Sequence, residues 1–374
     1  MKLAILGYGT VGQHVCKILE ESSGVRERFQ VKYILRRPGK TDGPKMVSDY
    51  DSILTDPEVD AIVDVLPGVE PSLRYMKQAL LAGKHVVSAN KAALCEGLPE
   101  LLSAAKEGHA ALLYEASCGG ALPILTQTRA LAAVDEITEV SGILNGTCNY
   151  ILYRMEREGL EFAEALSSAQ QLGYAEADPT ADINGYDVRN KLVLLAATAY
   201  GGLLTKDVPT AGIERVSKAV LDRFQKEGKT VKLMALSRRE ASRYALGVVP
   251  VLLPSSAQEA QVPDNYNIAS VTGNFSGTLK FYGQGAGGYP TADAIVRDLM
   301  QLPGESFCAS HADLPEADYS RALCYDEALL TGNGYLFSET GQPLMQVKEQ
   351  SLSALCQLAK QREAFLVFAP DSLS

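Results

Sequence analysis

The amino-acid sequence predicts an α/β protein whose N-terminal part is a doubly wound parallel sheet and whose central part is a separate α+β domain. Three observations predict it. Short apolar runs of strand length alternate with helical patterns as far as residue 114. A glycine turn, Gly7-Tyr8-Gly9-Thr10-Val11-Gly12, joins the first run to the first helical pattern. From residue 137 onward helices and then strands come in runs rather than in alternation, which marks a different architecture.

The 374 residues leave room for two or three domains and a sizeable core. Apolar residues make up 46% and charged residues 21%, a globular balance. With 35 Lys and Arg against 45 Asp and Glu, the net charge of −10 argues against nucleic acid or an anionic membrane as partner. The apolar run before Gly7 is too short for a signal peptide, and no run approaches the ~18 residues of a spanning helix, so a cytoplasmic protein is expected. Seven cysteines without a CxxC pair and four histidines without HExxH disfavour zinc and disulfide frameworks.

Residues 2–6 form the first strand, and Val15, Ile18 and Leu19 mark the helix after the turn. In that context Gly7 permits the tight bend, Gly9 lets a pyrophosphate approach the backbone, and Gly12 allows close helix–strand packing, with the phosphate at the helix N-terminus. This is a Rossmann-type dinucleotide site, lined by Gly7, Tyr8, Gly9, Thr10, Val11 and Gly12. The second strand, 29–35, ends in Arg36-Arg37, where an NAD site would carry a carboxylate. Guanidinium groups match phosphate, so NADP is the expected cofactor, with NAD the other possibility.

The alternation continues through strand 61–66, helix 71–81, strand 85–88, helix 98–106 and strand 110–114. Loops at the carboxyl ends of such strands face the cofactor. These are Pro67-Gly68, Ser88-Ala89-Asn90-Lys91 and the segment from Glu115 to Gly120. Strand 137–144 then leads into Asn145-Gly146-Thr147, a small polar turn able to offer donors to a carboxylate or, equally, a plain turn into a helix.

Residues 173–196 concentrate charge beside a core. Asp178-Pro179 disfavours helix at Asp178, and Asn184-Gly185 signals a turn or cap, so a helix should begin near Asn184. Asp187 and Lys191, four apart, share one face of it. An exposed pair of this kind contributes only about 0.3–0.5 kcal/mol. The acidic, Pro- and Gly-bounded approach, with Glu176 and Asp182, points instead to a site for a small cationic or polar ligand. Helices at 162–172 and 218–226 and strands at 246–253, 268–272 and 278–282 suggest a second, mixed sheet. A second glycine loop at 283–291 precedes helix 292–300, and the tail holds a helix at 352–362 and a strand at 365–368.

Taken together, GYGTVG at 7–12, SANK at 88–91, YEASCGGALPI at 114–124, GILNGTCNYIL at 142–152, GYAEADPTADINGYDVRNK at 173–191, VPTAGIERV at 208–216 and YGQGAGGYPTADAIVRDL at 282–299 resemble the homoserine dehydrogenase family. The 173–191 segment is the most specific of these. The resemblance implies NAD(P)-dependent interconversion of L-homoserine and L-aspartate 4-semialdehyde, as in threonine and methionine biosynthesis. It implies that Glu176, Asp182 and Asp187 contact homoserine, that Lys191 transfers the proton, that Lys91 lies near the nicotinamide, and that the loop around Gly285 helps close the nucleotide domain. It also implies a homodimer formed through the central domain, and a monovalent cation such as sodium held mostly by backbone carbonyls of Glu115, Cys118, Gly120 and Leu122. Cys118 stands where valine is usual, and the tail shows no regulatory ligand-binding signature of the kind longer members carry.

The expected domains are a dinucleotide-binding domain at 1–130 completed by about 283–305, a substrate-binding and dimerisation domain at 131–282, and a tail of unknown role at 306–374. Two other readings stay open at this point: a different NAD(P)-dependent amino-acid or sugar oxidoreductase, and a non-catalytic dinucleotide-binding protein.

Overall fold

A computed structural model describes residues 1–40, 43–303 and 319–371. The ends of two expected segments, 304–305 of the domain closure and 306–318 and 372–374 of the tail, lie outside the described residues. The chain divides into two compact units, one built from Met1–Thr126 with the residues from Ala286, the other from Gln127–Gly285 with the C-terminal residues.

The first unit holds a six-stranded parallel sheet: β1 (Lys2–Leu6), β2 (Gln30–Leu35), β3 (Met46–Val47), β4 (Ala61–Asp64), β5 (His85–Ser88) and β6 (Leu112–Leu113), in the order β3-β2-β1-β4-β5-β6. The strands are apolar runs rather than alternating ones because both faces are covered. Leu3 to Leu6 and Ala61 to Val63 are fully buried. The order reverses between β1 and β4, which opens a crevice at their carboxyl ends. Helix Gly288–Gln301 packs Ala292, Ile295, Val296 and Leu299 into the same core as Leu3, Ile5, Val15 and Leu19.

One helix differs from expectation. The helix placed at 98–106 begins at Lys91 and runs to Glu107. Its start was hidden in a loop-like Ser-Ala-Asn sequence, but Asn90 is its cap, accepting from Ala93 N at 3.1 Å. Pro99 is accommodated by a break at Gly97, where the backbone leaves helical geometry (φ −117, ψ 15).

The second unit holds a nine-stranded mixed sheet: β7 (Ile137–Ile143), β8 (Lys229–Glu240), β9 (Arg243–Pro254), β10 (Tyr266–Gly273), β11 (Gly277–Gln284), β12 (Cys324–Tyr325), β13 (Thr331–Phe337), β14 (Pro343–Ser351) and β15 (Phe365–Pro370). Eight run in the order β11-β10-β7-β8-β9-β15-β13-β14, and β12 pairs with β9. The described part of the tail thus contributes four strands to this sheet, from Cys324 to Pro370. Strands β8, β13 and β14 were not expected, because their charges and glycines blur a period of two. In β8, Lys232 points inward, donating to Asn149 Oδ1 and Val262 O at 2.8 Å each.

Helices Gly146–Glu158, Tyr186–Tyr200 and Lys218–Lys226 pack on β8. Tyr186–Tyr200 is buried on nearly every side, which explains its unbroken apolar run from Leu192 to Ala197. It starts where Asn184-Gly185 said it would. Gly185 takes the left-handed conformation (φ +80), and a Cβ there would also press on Thr210 and Val248 at 3.1 and 3.2 Å.

Candidate active site

In the first unit the glycine turn has the geometry of a phosphate cradle. Gly7 is left-handed (φ +105), and a Cβ on it would stand 3.0 Å from the Val65 carbonyl oxygen. A Cβ on Gly12 would overlap the Gly7 carbonyl, so helix Thr10–Glu21 can lie this close to β1 only with glycine there. At Gly9 the opposite holds. Among the described residues, its own chain neighbours aside, nothing lies within 4 Å of where its Cβ would be, and Gly9 caps the helix without any side-chain bond. The open space sits at the N–H groups of the first turn, including those of Thr10 and Val11, which have no intrahelical acceptors. A pyrophosphate fits that space.

Arg36 follows β2 and is half-buried, its guanidinium 5.6 Å from the Tyr8 ring centroid and its Nη1 3.7 Å from the Met46 sulfur. Arg37 is exposed. Pro67 and Gly68 form the exposed tip of the loop after β4. Ser88 and Asn90, expected as cofactor contacts from their place at the end of β5, have their side chains engaged within the protein. Ser88 Oγ donates to Asp64 Oδ2 (2.9 Å), and Asn90 Nδ2 donates to Leu66 O (3.0 Å) and Gly68 O (2.6 Å). Lys91, half-buried, opens the helix that follows.

Beyond β6, Glu115 is buried, and its carboxylate accepts from Leu125 N (2.8 Å) and Thr126 N (2.7 Å) at the start of helix Ile124–Ala132. Cys118, Gly120 and Leu122 follow on a turn in which Gly119 and Gly120 are left-handed (φ +82 and +57). The Glu115 and Leu122 carbonyls each accept one backbone N–H, from Cys118 (3.1 Å) and Ile124 (2.9 Å). Among the described residues no group of three or more His, Cys, Asp or Glu side chains could hold a metal, so a cation here would rest on carbonyl oxygens.

The second unit gathers the charged residues of 173–191. Lys191 Nζ donates to Asp187 Oδ2 and to Leu144 O, both at 2.7 Å, and both side chains are buried. Asn145 caps helix Gly146–Glu158 through its oxygen (Cys148 N, 2.8 Å) and turns its amide hydrogens to Asp182 Oδ1 (2.7 Å) and Asp187 Oδ2 (2.9 Å). One amide therefore joins two carboxylates that would otherwise repel. Gly146 lies against Asn265, and Thr147 Oγ1 donates to Tyr174 O (2.6 Å). Glu176 is exposed on the approach to this cluster. Buried beneath it, the Cys148 thiol is pushed well above its ordinary pKa by burial and by the nearby Asp182 and Asp187 carboxylates.

Residues 7–115 match the family profile described as homoserine dehydrogenase, NAD binding domain, and residues 123–300 the one described as homoserine dehydrogenase. The homoserine dehydrogenase of Synechocystis sp. is 37% identical over 318 residues, spanning 81% of this chain and 73% of that protein. The chain belongs to the homoserine dehydrogenase family. A solved homoserine dehydrogenase from Thiobacillus denitrificans superposes with a TM-score of 0.83 at 31% identity, over 90% of this chain and 82% of that one. A hyperthermophilic archaeal homoserine dehydrogenase in complex with NADPH shares the fold, with a TM-score of 0.70 at 24% identity over 80% of this chain.

As a member of the homoserine dehydrogenase family, the chain is an NAD(P)-dependent oxidoreductase, and its parallel-sheet unit is the NAD-binding domain. Two further groups, one in each unit, were not singled out from sequence. Glu214 lies in the 208–216 motif next to Gly212, which packs on the Ile183 carbonyl, and its charge reaches Cys148 together with Asp182, Asp187 and Lys191. Its signal was present but indistinct, one acid in a turn. Asp64 ends β4 as the only polar residue in a four-residue strand and is fully buried. Gly285, for its part, leaves the room that the Asn267 side chain fills.

Proposed function

We propose that this protein interconverts L-homoserine and L-aspartate 4-semialdehyde with NADP(H), and that the buried Asp187–Lys191 pair beneath the Asn145 amide carries the acid–base step. The pair is the observation on which the reading rests. Lys191 is held at two points, by a carboxylate and by a main-chain carbonyl, and so presents its ammonium in one orientation. A positioned ammonium next to the substrate oxygen protonates the alkoxide as the aldehyde is reduced and takes the proton back in the reverse direction. Asp182, Asp187, Glu176 and Glu214 give the neighbourhood a surplus of negative charge suited to the substrate ammonium, while Asn145 and the Gly146-Thr147 turn can orient its carboxylate. When bound, NADP(H) supplies or accepts the hydride. Arg36 and Arg37 at the end of β2 suit its 2′-phosphate, Lys91, which opens the helix after β5, suits a contact near the nicotinamide, and the open space at Gly9 suits its pyrophosphate.

A spectrophotometric assay following NADPH tests the reading. Turnover with homoserine supports it; turnover only with another substrate, or cofactor binding without turnover, rejects it. The turn from Glu115 to Leu122 is proposed to bind sodium through backbone carbonyls of Glu115, Cys118, Gly120 and Leu122. Replacing sodium by choline at constant ionic strength should then lower activity, and unchanged rates would remove the ion from the account.

A further inference from the structure

Asp64 is the last residue of β4, at the carboxyl end of a central strand, where the strand order reverses between β1 and β4. It accepts from Ser72 Oγ (2.6 Å) and Ser88 Oγ (2.9 Å) on one oxygen and from Leu66 N (3.3 Å) on the other. These bonds belong to a closed ring. Ser88 Oγ accepts from Asn90 N (3.0 Å), and the Asn90 amide returns to Leu66 O and Gly68 O. Three segments meet at this one carboxylate: the loop after β4, the first turn of helix Ser72–Leu81 and the turn after β5. The residue next to Asp64, Val65, is the wall of the glycine turn, since its carbonyl is what a Cβ on Gly7 would meet and its side chain lies 3.4 Å from where a Cβ on Gly12 would be.

A carboxylate is an expensive choice for this place. No Lys, Arg or His side chain is hydrogen-bonded to Asp64 among the described residues, and burial lifts its pKa to about 6 against the three hydrogen bonds that lower it. Among the described residues Tyr50 lies within reach of its charge, but burial first, and then Tyr75, keep that hydroxyl neutral; it donates to Tyr75 O, and Arg74 stacks over the Tyr75 ring. Serine or asparagine would join the same segments without a buried charge. What an ionised carboxylate adds is acceptor-only character, which fixes the direction of both hydroxyl bonds and so the position of the loop.

We propose that Asp64 is a positioning residue for the dinucleotide, holding the Val65–Gly68 loop and the Ser88–Asn90 turn in the arrangement that keeps the glycine turn open to the cofactor. The inference rests on the cofactor reading above, and the two fail differently. If the wild-type protein binds neither NADPH nor NADH, the cofactor reading is lost. If it binds NADPH and Asp64→Asn binds equally well, only the role of Asp64 is lost.

The experiment measures NADPH dissociation constants, homoserine KM at saturating cofactor, and melting temperature for the wild type, Asp64→Asn and Ser88→Ala. Loss of one directional bond to a charged acceptor should raise the NADPH dissociation constant about tenfold or more in each variant. Homoserine KM should stay within about twofold, and Asp64→Asn should melt at or above the wild-type temperature at neutral pH because a buried charge is gone. In the wild type, NADPH affinity should also change with a midpoint near the Asp64 pKa, and Asp64→Asn should lose that dependence. Parallel loss of NADPH affinity, homoserine affinity and melting temperature would show a general structural role and overturn the proposal. So would unchanged NADPH affinity in folded Asp64→Asn, or in Ser88→Ala should Asp64→Asn not fold.

Discussion

At the residue scale the sharpest expectation concerns Lys191. If it carries the proton, Lys191→Ala should lower turnover roughly 10²- to 10⁴-fold per folded, cofactor-binding site, with NADPH affinity near normal. A Lys191 that merely ties helix Tyr186–Tyr200 to Leu144 would show the reverse: reduced thermal stability with turnover of the folded fraction preserved. For the two arginines after β2, charge-assisted bonds to a phosphate contribute roughly 1.5–3 kcal/mol. Replacing Arg36 and Arg37 together should weaken NADP binding about 10- to 100-fold and leave NAD nearly unchanged, and equal loss for both would rule the pair out as a phosphate clamp. Asp64 has a consequence for stability as well. Its folded-state pKa, about 6, lies above the ordinary 3.8, so the native state holds its proton more tightly than the unfolded chain does. Stability from this group therefore falls as pH rises from about 4 to about 6, by roughly 3 kcal/mol if the whole shift is expressed. Denaturant titrations of wild type and Asp64→Asn at pH 4.5 and pH 7 check this, and a gap between them that does not change with pH contradicts it.

At the scale of the element, the glycine turn makes a pair of opposite expectations. Gly12→Ala would drive a Cβ into the Gly7 carbonyl, so helix Thr10–Glu21 must move off β1, and melting temperature and cofactor affinity should fall together. Gly9→Ala meets nothing among the described residues beyond its chain neighbours, and its backbone (φ −81, ψ −161) suits alanine. It should cost about 1 kcal/mol or less of stability through the cap, yet block the pyrophosphate. Calorimetry and NADPH titration of the two variants separate the packing role of one glycine from the ligand role of the other. Normal cofactor binding by Gly9→Ala would mean that the phosphate lies elsewhere. The same scale explains the helix start that sequence reading missed. Asn90 looked like part of a loop because its capping bond to Ala93 N is invisible until the chain turns.

For the whole molecule, a homodimer through the second unit is the expected assembly. That unit ends its sheet in β11, where Leu279 and Tyr282 are exposed, and the turn before it exposes Phe275 to 87%. Light scattering at micromolar concentration should give twice the 40.1 kDa chain mass, and the chain mass itself would contradict the dimer. Much of this protein was determined by sequence alone, and for a local reason. The strand–turn–helix around Gly7–Gly12, the helix begun at Asn184-Gly185 and the Asp187–Lys191 pairing depend on residues within a few positions of one another, so their physics is written in adjacent letters. What the tertiary structure decided was everything that pairs distant residues. Lys232 is inward-facing in β8 because Asn149 and Val262 are there to accept from it. The strands between Cys324 and Pro370 join a sheet because β9 pairs with β12 and β15. The Asn145 amide links Asp182 to Asp187 across about 40 positions of chain, and Asp64 is a junction only because Ser72, Ser88 and Asn90 arrive from other elements. A buried charge in an apolar strand reads in sequence as an exception, and only its partners in space show what it holds in place.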